Sequence, residues 1–418
     1  MSRALSREPG RRRRLPPPPC HKVVRRPLPA VRRAVEGGDA IWTTIAATSL
    51  GVLAPFLVGT LSVLMRRDFA IGPRDIGIAV GAFFTVAGLA ARVLGRTVER
   101  IGSARSILVA TAVSTTGLLV IAGANHWLVV VFGLVLGGIA SAMIHPATAQ
   151  LLAKNVGTSN LGLAFGLKQS GAPASTMLAG LAIPAIGLWI GWRATFLVAA
   201  AVVIILGSVV VRTVHNIAER GLADLERPQV VSHTRLPILA LGAGLGTAAG
   251  NALGVLLVDG GVRFSGVTES TAGYVLAGVS AAAILTRIVL GRGVDVGWLD
   301  GSRLLVWMPA LGVVGAGFLA LPTVATFVVG AALAYPIGWG WSGLLHYCVV
   351  SPHRDSAARL TGVLMTGFSL GAAAGPLALG IVAQQTSYRV TWIATAVLFA
   401  LAAVTMSVGR VGLGTLDA

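Results

Sequence analysis

Polar and ionisable residues are rare inside the apolar segments of this 418-residue chain, and Lys168 is the most informative of them. It lies eight residues past Asn160, where an apolar segment starts, and we place no other Lys or Arg well inside such a segment. A cation there is costly unless it faces protein or water, so Lys168 is a candidate binding residue for an acceptor-rich solute, above all an anion. The alternative is that its side chain reaches back to the nearer membrane surface.

Three further polar residues are candidate partners of Lys168: Gln169, His145 and Asn251. His145 lies about six residues before the end of the preceding apolar segment, which runs antiparallel, so we expect it at the depth of Lys168. Asn251 is polar in mid-segment and suits a hydrogen bond to a solute or to a neighbouring helix. For His145, as for His346, the alternative interpretation is a satisfied packing residue.

The acidic residues carry information through their positions. All 15 Asp and Glu lie in tails, loops or near segment ends, and Asp259 comes closest to being buried. Lys168 without an acidic neighbour favours an anionic solute by charge complementarity. No P-loop, paired catalytic carboxylates or metal-ligand spacing occurs, and Cys20 and Cys348 suggest no disulfide framework. We therefore expect no enzyme activity, no cofactor and no metal.

The composition indicates that lipid is the solvent for much of the chain. Hydrophobic residues make up 55% of it and charged residues 11%, where soluble proteins carry roughly a quarter. Twelve stretches are long enough to span a bilayer as helices. They are 41–64, 75–95, 105–124, 127–151, 160–187, 193–212, 236–258, 270–291, 302–322, 324–349, 358–383 and 390–409. The predicted fold is therefore all-α and integral to the membrane.

The net charge of +18 is distributed like a topology signal. Residues 1–35 hold 11 of the 33 Lys and Arg, and nearly all the others flank apolar segments. If the N-terminus is cytoplasmic, 15 further Lys and Arg lie on the cytoplasmic side and 6 on the other, so both termini are predicted to be cytoplasmic. This distribution favours a lipid bilayer over nucleic acid as the partner of the basic residues.

An internal repeat divides the chain. "VLGRTVE" from Val93 and "VLGRGVD" from Val289 are 196 residues apart, and "GWRATF" and "SYRVTW" share the same offset. An even number of spans between the copies makes this a parallel repeat. We predict a disordered basic cytoplasmic tail, an N-terminal six-helix bundle, a cytoplasmic linker, a C-terminal six-helix bundle and a second cytoplasmic tail. Their ranges are 1–38, 39–212, 213–235, 236–410 and 411–418.

The loop after the second segment carries the most specific motif. It contains Gly95, Glu99, Arg100, Gly102 and Arg105, and the second copy keeps Gly291, Arg292 and Asp295. The spacing resembles the cytoplasmic loop signature of the major facilitator superfamily, with Glu99 where Asp is usual. Gly95 would let the helix end pack closely, and Glu99 would cap a helix N-terminus or pair with an Arg across the two bundles. We interpret these residues as a gating loop; the alternative is that their charges only set topology.

The resemblance implies two six-helix bundles around a central cavity and transport by alternating access. It also implies that the tenth segment lines the path, which makes Tyr335, Trp339 and Trp341 candidate binding residues. The alternative for these aromatic side chains is the membrane interface.

The sequence thus predicts a secondary transporter of a small solute, above all an organic or inorganic anion. One alternative is a proton-coupled multidrug exporter that uses His145 or Asp259; the other is a non-transporting membrane receptor or lipid-handling protein. We expect a monomer in the plasma membrane, with a small-molecule substrate and a coupling proton as partners to test.

Overall fold

The computed structural model describes residues 30–155, 160–218, 235–351 and 357–411, and the regular elements in those ranges are all helical. The helices are α1 (Ala30–Met65), α2 (Pro73–Ile101), α3 (Ser103–Ala122), α4 (Trp127–Asn155), α5 (Leu161–Lys168), α6 (Gly171–Ala182), α7 (Leu188–Ala218), α8 (Leu236–Phe264), α9 (Glu269–Asp295), α10 (Gly301–Leu319), α11 (Val324–Ala334), α12 (Ser342–Val350), α13 (Ala357–Gln385) and α14 (Tyr388–Arg410). A π-helical turn, Ile183–Gly187, joins α6 to α7.

The described residues contain ten helical runs that are long and apolar enough to cross a membrane, where we predicted twelve spans. Two local features explain the difference. The 55-residue run Leu161–His215 contains the predicted fifth and sixth spans, which a non-helical Gly191 at φ 85° separates. The predicted tenth span is interrupted by turns at 335–341, so α11 and α12 are each too short to qualify.

Two helices extend past the domain boundaries that we predicted. α1 begins at Ala30, so residues 30–38 are helical although we predicted a disordered tail over 1–38. Pro29 is the last proline before the apolar run, and nothing after it prevents an early helix start. At the other boundary, α7 continues to Ala218, six residues into the predicted linker. Residues 1–29, 219–234 and 412–418 lie outside the described ranges.

The surface of the helix assembly is apolar, as expected of a protein solvated by lipid. Large apolar side chains on the outward faces of α7 and α14 are exposed, among them Ile205 and Val404. Soluble monomers rarely expose continuous apolar surface of this kind, whereas lipid tails accept it. Trp189 and Trp298 are more than four-fifths exposed and lie next to chain turns, where membrane-interface aromatics belong.

The internal repeat is visible in the helix order. α2 and α9 begin 196 residues apart, as do α5 and α13. The same offset relates Trp192, the first residue after the kink in α7, to Tyr388, the first residue of α14. We call the face at which α1 begins and α2 ends the near face, and the opposite one the far face. The N-terminal half (α1–α7) and the C-terminal half (α8–α14) meet mainly along α5/α6 with α9 and along α2 with α13.

Candidate functional site

Lys168 lies where the fifth span breaks. α5 ends at Lys168, Gln169 is its half-buried C-cap, and α6 starts only at Gly171. The free carbonyl groups of a helix C-terminus carry partial negative charge, which makes this a favourable position for a cation. Lys168 is only 8% exposed, which excludes the alternative that its side chain reaches the membrane surface. The ion pairs within the described residues do not include it.

Two histidines lie within electrostatic range of the Lys168 ammonium group. They are His145 on α4, whose side chain is exposed, and His346 on α12, which is 1% exposed. We expected His145 at the depth of Lys168 because α4 and α5 run antiparallel. His346 comes from the other half of the chain, so polar groups of both halves meet near Lys168.

Arg287 is a second buried cation, and the sequence interpretation missed it. We counted it with the near-face charges because the predicted segment ended at residue 291, whereas α9 continues to Asp295 and Arg287 is only 1% exposed. Its guanidinium donates to Trp339 O (2.7 Å), to Ala283 O (3.1 Å) and to Ser342 Oγ (3.4 Å). It also lies 5.4 Å from the centre of the Trp339 ring. The spans therefore contain a second buried cation besides Lys168.

Small residues bring the helices that carry both cations into direct backbone contact. A Cβ atom on Gly166 of α5 would lie 2.5 Å from the carbonyl oxygen of Arg287 on α9. A Cβ on Gly343 of α12 would lie 2.8 Å from Cα of Gly166. Arg287, Ser342 and Lys168 therefore belong to one packed region that joins the two halves.

Tyr335, Trp339 and Trp341 lie in the interior and not at the membrane interface. All three are at most 5% exposed, in contrast to the lipid-facing tryptophans. The Thr176 hydroxyl is 2.7 Å from the Tyr335 hydroxyl and 2.8 Å from Ser280 Oγ, so this hydrogen-bond network joins α6 to the C-terminal half. The indole N–H groups of Trp339 and Trp341 are buried without a partner among the described residues.

Asn251 contacts a neighbouring helix. Its side-chain amide donates to the carbonyl oxygen of Ala372 at 2.8 Å and so joins α8 to α13. Of the two roles that we predicted for a polar residue in this position, the structure shows the helix–helix hydrogen bond. A buried amide with such a partner stabilises the packing of the two helices.

The second-copy loop motif joins the two halves at the near face. The Asp295 carboxylate accepts from the backbone N–H groups of Gly162 (2.8 Å) and Leu163 (2.9 Å) at the start of α5. This is the helix-capping contact that we described for the first-copy acid. Gly291 lies one turn earlier, and a Cβ on it would be 2.5 Å from Gly162 O. The backbones of α9 and α5 are therefore too close for any side chain at this position.

The first-copy motif shows a different packing. A Cβ on Gly95 would lie 4.0 Å from Pro146 Cβ, an ordinary contact, so the close approach that we predicted there does not require glycine. Gly102 has φ 82°, a conformation that favours glycine, and turns the chain from α2 into α3. Arg100 and Arg105 are exposed. The side chain of Glu99 lies outside the described part of the structure.

The two loop glycines predict different responses to the same substitution. In Gly291→Ala the added methyl group would overlap Gly162 O, so we expect a loss of about 1–3 kcal/mol of stability and reduced solute flux. Gly95→Ala is the matched control and should unfold at the wild-type temperature. Thermal unfolding of the two purified variants measures this, and equal transition temperatures would contradict the close contact at Gly291.

Charged residues also join the two halves at the far face. The buried Asp259 carboxylate on α8 binds Arg66 from the end of α1 and the Tyr388 hydroxyl of α14, and Arg263 Nε lies 3.4 Å away. We call these four residues the far-face cluster. The sequence interpretation noted the burial of Asp259 but not its partners, because Arg66 lies 193 residues away along the chain.

Asp68 forms a separate contact within the N-terminal half. Its carboxylate accepts hydrogen bonds from the Trp192 indole at 2.9 Å and from Arg193. These donors, the indole first, hold the pKa of the Asp68 carboxyl below its usual value. The contact is therefore complete at neutral pH and is lost as the pH falls through the lowered pKa.

Comparisons with known proteins identify the family. The family model of the Major Facilitator Superfamily matches residues 41–352. Monocarboxylate transporter 11 of Mus musculus is 29% identical over 385 residues, which cover 83% of both chains. The voltage-gated purine nucleotide uniporter SLC17A9 of Homo sapiens is 25% identical over 185 residues, but that alignment spans only 42% of its length and 41% of this chain.

A solved structure shares the fold. The human organic anion transporter MFSD10 (TETRAN) superposes with a TM-score of 0.66 at 15% identity, over 88% of this chain and 99% of that one. This similarity, the helical spans and the family model agree with the resemblance that the loop motif indicated. The chain therefore belongs to the Major Facilitator Superfamily, and its helical spans are those of a multi-pass membrane protein.

Proposed function

We propose that this protein transports a small organic or inorganic anion by secondary active transport. The observation that carries the proposal is the pair of buried cations, Lys168 and Arg287, one on each half. Neither takes part in an ion pair within the described residues. Two buried positive charges without a carboxylate are costly, and a bound anion would offset that cost.

The position of the two cations suits alternating access. Because Lys168 lies on the N-terminal half and Arg287 on the C-terminal half, an anion between them would hold the halves together, and its release would let them separate. Asp295 joins the halves at the near face and Asp259 at the far face. Alternating access requires that these contacts break in turn. Because Glu99 lies 196 residues before Asp295, we propose that it caps the start of α13 as Asp295 caps the start of α5.

The names of the relatives support the same substrate class. A monocarboxylate, a purine nucleotide and an organic anion are all acceptor-rich and negatively charged at neutral pH, and the three similar proteins are named for them. Trp339 and Trp341 add two indole N–H donors without partners, which suit the oxygen atoms of such a solute. Gln169 follows Lys168 in the chain and His145 lies within electrostatic range of it, and we propose both as further polar contacts.

We also propose the membrane, the orientation and the oligomeric state. The excess of Lys and Arg in the near-face loops supports a cytoplasmic near face, with both termini in the cytoplasm and the protein in the plasma membrane. We propose a monomer, because one chain supplies both halves of the transport path. Protease accessibility in sealed vesicles would test the orientation.

Uptake into proteoliposomes tests the substrate class. The panel contains pyruvate, benzoate, ATP and inorganic phosphate as anions and a cationic dye as a drug-like solute. We expect saturable uptake of at least one anion and none of the dye, and the Lys168→Met variant should lose that uptake while it inserts and purifies normally. Lys168→Arg, which keeps the charge, is the matched variant and should retain part of the uptake.

Other results of the uptake experiment would support one of the alternative functions. Dye export that collapses with the proton gradient would support the multidrug exporter, and the lack of any flux over a wider panel would support a receptor or lipid-handling protein. Anion uptake that is unchanged in Lys168→Met would reject this residue as part of the site.

A further inference from the structure

His346 has one ring nitrogen satisfied and the other without a partner. Its Nδ1 is 2.9 Å from the carbonyl oxygen of Ser342, one helical turn earlier on α12. A carbonyl oxygen only accepts, so Nδ1 must carry the hydrogen, and the neutral ring then presents an unprotonated Nε2. This Nε2 is buried and has no hydrogen-bond partner among the described residues. A buried acceptor without a partner costs about 1–3 kcal/mol.

The aromatic neighbours of the His346 ring favour its protonated form, the imidazolium ion. Phe165 of α5 stacks on the ring with centroids 5.7 Å apart, and Phe368 of α13 lies 5.2 Å away. Aromatic faces attract a cation, so both rings favour the protonated form. The two phenylalanines also belong to opposite halves, and a protonated His346 between them would hold the halves together.

The charged groups around His346 oppose that protonation. Lys168 acts on it from α5, Arg287 of α9 shares Ser342 as a hydrogen-bond partner, and His145 of α4 lies within electrostatic range of Lys168. Phe368 is the contact from α13, and the described ion pairs bring no carboxylate to the ring. With the site empty, burial of the ring and the nearby Lys168 charge both disfavour a positive charge on His346. An anion bound beside Lys168 would offset the repulsion from Lys168.

We propose that Nε2 of His346 is a proton-binding site whose occupancy is coupled to that of the anion site. This inference rests on the proposed function for the identity of the ligand. When the anion binds, a hydronium ion of the solution gives its proton to the Nε2 lone pair, which forms an N–H bond and leaves a water molecule, and the ring becomes an imidazolium ion. Linkage is reciprocal, so acidification strengthens anion binding as much as the anion strengthens proton binding. One proton then crosses with each anion.

The first test needs no ligand, because Lys168→Met removes a repelling charge as a bound anion would. Histidine side chains labelled with 15N are titrated by NMR in the full-length protein, and the His346 signal is identified by its loss in His346→Gln and His346→Asn. We expect His346 to take up its proton at a pH about 1 unit higher in Lys168→Met than in the wild type. Arg303→Met, which removes an exposed charge, is the control and should leave the midpoint unchanged.

An unchanged midpoint in Lys168→Met would overturn the coupling, and so would an Nε2–H tautomer in the wild type. Neither result depends on which anion is carried, so this test separates failure of the inference from failure of the proposed function.

The second test measures coupled flux. Proteoliposomes with an internal pH indicator receive pyruvate, benzoate, ATP or inorganic phosphate in weakly buffered medium. We expect the carried anion to bring about one proton with it in the wild type and in His126→Gln, a variant of an exposed loop histidine. In His346→Gln the ratio of proton to anion flux should fall at least tenfold. Anion uptake by the wild type without proton entry, or an unchanged ratio in His346→Gln, would overturn the inference.

Discussion

Replacement of Arg287 by Met should lower anion uptake at least thirtyfold and leave the protein as stable as the wild type or more so. The guanidinium is buried without a counter-ion among the described residues, so its removal ends a desolvation cost that the empty protein bears. The bound anion, in contrast, would lose a charged partner in a dry site, which is worth about 2 kcal/mol or more. Uptake by proteoliposomes and thermal unfolding of the purified protein measure the two effects.

Two companion variants make this prediction specific. In Arg287→Lys the charge stays, but one ammonium group cannot reach Ser342 Oγ, Ala283 O and Trp339 O together, so we expect uptake between the wild type and Arg287→Met. Arg303→Met removes an exposed near-face charge and should change neither quantity. Loss of stability with normal uptake in Arg287→Met would reverse the assignment and make Arg287 a packing residue.

The sequence predicted the fold well, because each property that defines it is local. Hydropathy located the spans, and the 196-residue offset found the two halves and aligned the starts of α2 and α9. The loop motif around Gly95 identified the family. Interruptions inside spans were harder to predict, since the break after Lys168 and the turns at 335–341 arise in segments that remain apolar throughout.

The candidate site was only partly predictable, for a physical reason. Lys168 was found because its depth follows from the chain alone. Arg287 was missed because a cation near the end of a span is equally compatible with the membrane surface, and only the packing of Gly166 and Gly343 shows that it is enclosed. Contacts between halves, such as Arg66 with Asp259, join distant parts of the chain that one sequence does not pair.

The two acidic residues between the halves, Asp259 and Asp295, have different surroundings. Asp295 accepts from backbone N–H groups, which any sequence at the start of α5 would provide. Asp259 depends on particular side chains, and one of them, Arg66, comes from the other half. In the N-terminal half the aromatic residue aligned with Tyr388 is Trp192, and it donates to Asp68 within its own half. A substitution at Asp259 therefore tests the contact between halves, and one at Asp68 does not.

Asp259→Asn should open the far face. The amide removes the charge that binds Arg66 across the halves and leaves Arg66 and Arg263 to repel each other. Loss of one partner of a buried ion pair costs about 3–5 kcal/mol, and the amide oxygen retains part of the contact. A shift of about 2 kcal/mol in favour of the far-open state would raise its population about thirtyfold. The variant should then bind solute from the far side but complete the transport cycle slowly.

Cysteine labelling measures the far-open population directly. Ser62 lies one turn before Arg66 on α1 and is fully buried, so Ser62→Cys, in a chain with Cys20→Ala and Cys348→Ala, should react with a polar maleimide only when the far face opens. We expect at least tenfold faster labelling with Asp259→Asn and a wild-type rate with Asp68→Asn. Arg66→Ala should accelerate labelling as well, and the double variant should gain little more, because both changes remove the same contact. Equal rates in Asp259→Asn and Asp68→Asn would show that the far-face cluster does not hold the halves together.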